Sequence, residues 1–275
     1  MSEAFTEKTF RGSDGTEFAY IEAGEGPPIV LLHGWSSSLR WWNRNIEALA
    51  KTNRVLAMDF RGHGSSEKTI SGHTMPTYAR DVHEFVEGAH AEGALLVGWS
   101  MGSIVLWHYV MQFGVGQASG MVFVAQSASD LTTVDYPLGI MDEVGFHQWM
   151  HNLQGERRSM TEDSMRLMVK HEPTPEEVRW MTDDYLRCPA HIATVAFYHQ
   201  TMDSSFEAFE QIDFPTQVHF GTDPKMYNID QGHYLAEHIP GTELVIFEES
   251  GHVPMWEEPE RFNLVLAEFT QRLAR

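Results

Sequence analysis

The residues best suited to chemistry in this chain are Gly98-Trp99-Ser100-Met101-Gly102. They follow the apolar run Ala94-Leu95-Leu96-Val97 and lead into a second, Ile104-Val105-Leu106-Trp107. A Gly-x-Ser-x-Gly between a buried strand and a buried helix reads as a nucleophile elbow, whose glycines let the chain turn sharply enough to expose the serine hydroxyl. A serine hydroxyl at neutral pH is a weak nucleophile. It needs a base to take its proton and a third group to orient that base. His252, in Gly251-His252-Val253-Pro254, follows the apolar run Leu244 to Phe247 and is the candidate base. Asp223, in Phe220-Gly221-Thr222-Asp223-Pro224, follows the preceding run and is the candidate orienting acid. Asp230, seven residues on, offers an alternative acid. An acyl-transfer oxyanion also needs backbone donors. The Met101 amide, next to the nucleophile, and the Trp35 amide, in His33-Gly34-Trp35, are the candidates.

These residues need a scaffold that brings strand ends together. Short apolar runs without alternation occur at Ile29 to Leu32, Val55 to Met58, Ala94 to Val97, Met121 to Val124, Val218 to Phe220 and Leu244 to Phe247. Such runs suit strands covered on both faces, as in a parallel sheet. Helical spacing appears between them, in Met75, Tyr78, Ala79, Val82, Phe85 and Val86, and again in Phe262, Val265, Leu266, Phe269 and Leu273. The alternation predicts an α/β fold with a doubly wound, mostly parallel sheet. Thr16 to Ala23 reads as a further strand, with residues 5 to 11 pairing beside it. In such sheets ligands bind at the carboxyl ends of the strands, where Ser100, Asp223 and His252 all fall.

The pattern changes after residue 125. Residues 130–209 carry helix signals and many large side chains, and are expected to form a helical cap inserted into a core made of residues 1–129 and 210–275. Thr161 reads as one helix start. Thr174-Pro175-Glu176-Glu177 reads as another, with a cap, a proline at the first helical position and a capping-box glutamate. Most of the methionines and aromatics of this lobe are expected to pack helix on helix. Phe146 and Trp149, with Trp35, are the candidates for substrate contact.

Taken together, His33-Gly34-Trp35, Asp59-Phe60-Arg61-Gly62-His63-Gly64-Ser65-Ser66, the Ser100 elbow, Gly221-Thr222-Asp223 and Gly251-His252 resemble the α/β-hydrolase superfamily. Within it, the His-Gly-Trp loop and the Gly-Trp-Ser-Met-Gly elbow are similar to haloperoxidase-like esterases, lactonases and perhydrolases, which need no cofactor. The resemblance implies that Ser100 attacks a carbonyl, His252 shuttles the proton, and water releases an acyl-enzyme. The resemblance also implies another acid near Gln126 to Asp130, since some members carry it after the earlier strand. Ser103 departs from the family, which often has a second glycine there. A serine at the elbow disfavours dehalogenation of alkyl halides and epoxide opening, which in this family use aspartate. The Asp59 to Gly64 stretch reads as a structural turn.

The function expected is therefore hydrolysis of a carboxylic ester or lactone of a small, fairly apolar molecule. The same scaffold also supports carbon-carbon bond hydrolysis, cyanohydrin lysis and cofactor-free oxygen insertion. A third reading is a ligand receptor on a retired hydrolase scaffold, against which the complete set of catalytic residues argues.

The remaining sequence narrows the setting. The 275 residues are 42% hydrophobic and 21% charged, an ordinary globular profile with ample length for a core. Thirty-nine acidic residues against 19 basic ones give a formal charge of -20, which argues against nucleic acid and anionic membranes as partners. One cysteine, Cys188, excludes an intramolecular disulfide. No His-Glu-x-x-His or zinc-spaced Cys/His pair occurs, and Gly24-Glu25-Gly26 and Gly114-Val115-Gly116 lack the dinucleotide fingerprint. Neither a metal nor a cofactor is expected. The start, Met1 to Thr6, has no basic residue and no apolar signal core, so a cytoplasmic location is expected.

Overall fold

The computed structural model describes residues 5–203 and 205–274. Eight strands form one sheet: β1 (Glu7–Arg11), β2 (Glu17–Ala23), β3 (Pro28–Leu32), β4 (Arg54–Met58), β5 (Ala94–Trp99), β6 (Ala118–Val124), β7 (Thr216–Gly221) and β8 (Glu243–Phe247). Their order is β1-β2-β4-β3-β5-β6-β7-β8. The β1/β2 and β2/β4 pairs are antiparallel, and every pair from β4 to β8 is parallel. Residues 5 and 6 of the expected first strand lie outside β1, and residues 1–4 of the N-terminal reading fall outside the described residues.

The continuous apolar runs are explained by burial on both faces. Val30, Leu32, Leu56, Met58 and Leu96 pack into one core layer, and Ile29, Leu31, Val55, Ala57, Leu95 and Val97 into the other. Successive side chains alternate faces, so a strand covered twice must be apolar throughout. The covering helices are α1 (Ile46–Leu49), α2 (Met75–Gly88), α3 (Met101–Phe113), α9 (Ile229–His238), α10 (Pro254–Glu257) and α11 (Pro259–Leu273).

Between β6 and β7 the chain forms α4 (Glu143–Gly155), α5 (Arg157–Met168), α6 (Pro175–Leu186), α7 (Ala190–Met202) and α8 (Phe206–Phe209), and among the described residues no strand. The Thr174 capping box forms as expected, with Thr174 and Glu177 each serving the other's backbone N–H. Thr161 does not start a helix. It lies inside α5, where its hydroxyl donates to the Arg157 carbonyl (2.7 Å). The acidic pair after it continues an existing helix rather than opening one.

The turn from Asp59 to Gly64 is structural, held by its own polar contacts. The Asp59 carboxylate accepts from the amides of Leu39 (2.7 Å) and Ser65 (2.6 Å). A Cβ at Gly64, whose φ is +45°, would sit 1.9 Å from Asp59 Oδ2. Burial pushes the Asp59 carboxyl up to about 6. His33 ties this turn to the end of β3: its Nδ1–H donates to the Gly34 carbonyl (2.8 Å) and its Nε2 accepts from the Phe60 amide (3.1 Å).

Candidate active site

Ser100 occupies the junction of β5 and α3 with φ 53° and ψ -123°. A non-glycine residue at such a φ is strained by roughly 1–3 kcal/mol and persists only where its surroundings over-determine it. Here the Ser100 amide donates to the Val124 carbonyl of β6 (2.9 Å) and its carbonyl accepts from the Ser103 amide (2.7 Å). Gly98 is required because a Cβ there would lie 2.4 Å from the Gly102 carbonyl oxygen. The departure at Ser103 has a structural use. Its hydroxyl donates to the Gly98 carbonyl (2.6 Å) and accepts from the Val124 amide (3.2 Å), stapling the elbow to β6.

The oxyanion candidates are brought to the nucleophile by close backbone approach. A Cβ on Gly34 would come 3.1 Å from Ser100 Cβ, so the loop after β3 lies against the elbow. Among the described residues, neither the Trp35 nor the Met101 amide donates to a backbone acceptor in the turns and loops. Both donors sit where amides at a helix start and in a tight turn are left free.

His252 is 4% exposed and fixed on several sides. Its amide donates to the Met168 carbonyl at the end of α5 (2.7 Å), and its carbonyl accepts from Trp99 Nε1 (2.9 Å). Its ring lies nearly parallel to that of Tyr227, with centroids 4.6 Å apart and 16° between planes. Burial pushes the imidazole down to about 3, which keeps the free ring neutral.

Asp223 is not joined to this histidine. Its Oδ1 accepts from the Lys225 amide (3.0 Å) and its Oδ2 pairs with Lys225 Nζ (3.2 Å). His252 Nδ1 is buried without a hydrogen-bond partner. The loop position is the expected one, since the Asp223 amide donates to the Ser250 carbonyl (3.2 Å), two residues from His252. What redirects the carboxylate is Lys225, two residues on, which offers it both a backbone donor and an ammonium. The alternative acids do not reach His252 either. Asp230 lies in the exposed first turn of α9. Asp130 is buried and takes hydrogen bonds from Gln126 Nε2 (2.8 Å), Gln200 Nε2 (2.8 Å) and Tyr227 Oη (3.2 Å).

Ser100 and His252 open into a cavity of about 290 Å³, lined mainly by apolar side chains from the loops at the strand ends and from α4, α5, α6 and α7. Trp35 and Trp149 both line it, as expected. Phe146 does not. It packs behind the wall, its ring nearly parallel to that of Phe197 (6.1 Å, 16°), and Phe197 takes the lining position. Phe146 and Trp149 are three apart on α4 and both stack on Phe197, but only Trp149 lines the cavity. Sequence reasoning missed Tyr227 and Gln200, which also line the cavity. Tyr227 had one legible signal, an aromatic residue in a loop at the carboxyl end of a strand. Gln200 had none.

Residues 27–259 match the alpha/beta hydrolase fold family. The chain belongs to that family. It is 28% identical over 271 residues to a non-heme chloroperoxidase from Kitasatospora aureofaciens, covering 94% of this chain and 98% of that protein. It is 25% identical over 244 residues to a pimeloyl-[acyl-carrier protein] methyl ester esterase from Nitrosomonas europaea, covering 87% and 94%. Its fold is that of an esterase from Exiguobacterium antarcticum, with a TM-score of 0.91 at 22% identity over 97% of this chain and 100% of that one. The haloperoxidase-like resemblance of the hydrolase motifs is therefore matched across the whole chain. Among the described residues no three His, Cys, Asp or Glu side chains gather as a metal site, and no helix is long and apolar enough to cross a membrane.

Proposed function

We propose that this alpha/beta hydrolase cleaves a carboxylic ester or lactone of a small, ring-bearing, largely apolar molecule, with Ser100 as nucleophile and His252 as general base. The observation that carries the reading is the strained backbone at Ser100, held at φ 53° in the wall of a cavity that His252 also lines. Strain of this kind is retained where function requires it.

In the proposed reaction, neutral His252 takes the Ser100 proton as the hydroxyl attacks the carbonyl. The Trp35 and Met101 amides receive the developing oxyanion, the alcohol leaves with the proton from His252, and water then attacks the acyl-enzyme by the same route. Asp223, the acid expected from the sequence, is paired with Lys225 and makes no hydrogen bond to His252. Tyr227 takes the orienting task by stacking on the imidazole, with Trp99 and Met168 fixing the backbone around it. Trp35, Trp149, Phe197 and Tyr185 supply flat apolar walls, which favour a ring on the substrate. A fluorophosphonate probe should label Ser100, and Ser100→Ala should abolish turnover of a simple aryl ester while the fold persists. An unlabelled Ser100 together with retained turnover would overturn the proposal.

A further inference from the structure

The loop that carries the Trp35 amide is held from two sides. Within the loop, the Gly34 carbonyl accepts from Ser37 Oγ (2.7 Å) and from His33 Nδ1–H (2.8 Å). A peptide unit is planar and this one is trans, so its C=O and N–H point in opposite directions. Holding the Gly34 carbonyl therefore holds the Trp35 N–H, the proposed oxyanion donor, pointing away from Ser37 and His33. Ser37 is fully buried, so no water competes for its hydroxyl.

On the other side the loop is tied to the helices between β6 and β7. Trp35 Nε1 donates to the Ala193 carbonyl of α7 (2.8 Å), Ser36 Oγ to the Tyr185 carbonyl of α6 (3.1 Å) and Ser38 Oγ to Asp184 (2.8 Å). Arg157, the first residue of α5, closes the group. One of its guanidinium nitrogens donates to both Ser36 Oγ (3.1 Å) and the Tyr185 carbonyl (3.0 Å). The backbone it serves needs holding: Ser36 is 1% exposed and sits at φ 59°, a conformation a serine seldom adopts. Its surroundings must over-determine such a residue, and Arg157 with the Tyr185 carbonyl does so.

We infer that Ser36, Ser37 and Arg157 are positioning residues of the oxyanion hole. Ser37 aims the Gly34–Trp35 peptide, and Arg157, through Ser36, locks the loop to the helices that line the cavity. The inference rests on the ester-hydrolase reading and adds that the oxyanion donor is in place only while those helices are seated on the loop. Oxyanion donors act on the tetrahedral state and little on the bound ester, so lost aim shows in kcat rather than in KM.

Ser37→Ala, Ser36→Gly and Arg157→Met are expected to lower kcat for an aryl ester by about tenfold or more, with KM within about twofold of wild type. Arg157→Lys, which keeps a donor, should recover part of the loss. Ser36→Gly separates positioning from mere support. Glycine accepts φ 59° freely, and Arg157 keeps the Tyr185 carbonyl, so the melting temperature should hold or rise while kcat falls. Phenylboronic acid, which adds to Ser100 as a tetrahedral anion, should bind each variant more weakly by about the factor lost in kcat/KM, whereas the product acid should bind as before. An active wild type with kcat unchanged in Ser37→Ala and Ser36→Gly would overturn the inference and leave the hydrolase reading standing. So would a loss of kcat that follows melting temperature and not boronate affinity. A wild-type protein that neither hydrolyses aryl esters nor is labelled at Ser100 by a fluorophosphonate would overturn both.

Discussion

Asp223→Asn separates a two-residue Ser–His site from a full triad. In a serine hydrolase whose histidine is held by a carboxylate, replacing that acid by its amide lowers kcat by about 10⁴, or about 5 kcal/mol of barrier at about 1.4 kcal/mol per decade. Here the hydrogen-bond and ion-pair partner of the carboxylate is Lys225, whose side chain is 41% exposed against 10% for Asp223. Asparagine keeps an oxygen for the Lys225 amide and loses one partly screened ion pair, worth about 1 kcal/mol or less. The expected change in kcat/KM for an aryl ester is therefore under about fivefold, with a melting temperature close to wild type. The pH profile gives an independent check. With no carboxylate on Nδ1 and the ring held to about 3 by burial, the free-enzyme base stays neutral well below its ordinary pKa. The kcat/KM profile should then stay flat from pH 8 to about pH 5. A loss of 10³ or more in Asp223→Asn at unchanged stability, together with an acid limb near pH 6.5 to 7, would refute the reasoning. It would mean that Asp223 leaves Lys225 and takes up His252 in the working enzyme.

Tyr227→Leu should reduce kcat more than Tyr227→Phe does, because phenylalanine keeps the stacked ring; steady-state kinetics of both variants on one aryl ester check this. Ser100→Gly should abolish turnover yet raise stability by about 1 kcal/mol by relieving the φ 53° backbone, a gain readable by urea unfolding. Gly64→Ala should destabilise by about 3 kcal/mol or more, since its Cβ would collide with Asp59; a small shift in melting temperature would contradict the tight turn. His219 is also held to about 3 by burial. The unfolded chain takes up that proton near pH 6.5 and the folded chain refuses it, so stability is lost as pH falls from 6.5 toward 3. His219→Gln should remove on the order of 2 kcal/mol of the wild-type loss between pH 7 and 4.5, measured by denaturant unfolding at each pH.

The strands of this fold were legible because burial on both faces leaves no room for polar residues. Ile29 to Leu32 and Ala94 to Val97 announce themselves by composition alone. The elbow was legible for a related reason: only glycine fits at 98, and that steric demand is written into the residue type. The Thr174 capping box was local chemistry within four residues. The failures lie where neighbours compete. Thr161 had the local look of a helix start, but α5 had already begun at Arg157. Phe146 and Trp149 were equivalent as aromatic residues on one helix, and both stack on Phe197, almost fifty residues on, yet only Trp149 lines the cavity.

The sequence by itself determined the α/β sheet, the strained serine between β5 and α3, and the placing of a histidine in the loop after β8. Each follows from local sterics or from a periodicity within a few residues. Tertiary structure alone decided what that histidine touches. Its Nδ1 makes no hydrogen bond while Asp223 pairs with Lys225, and its ring stacks on Tyr227, which Asp130 and Gln126 hold in turn. Hydrogen bonds among buried polar groups are settled by which donors and acceptors arrive together in space, and residues 126, 130, 200 and 227 meet only once the sheet and the helices between β6 and β7 have closed on one another.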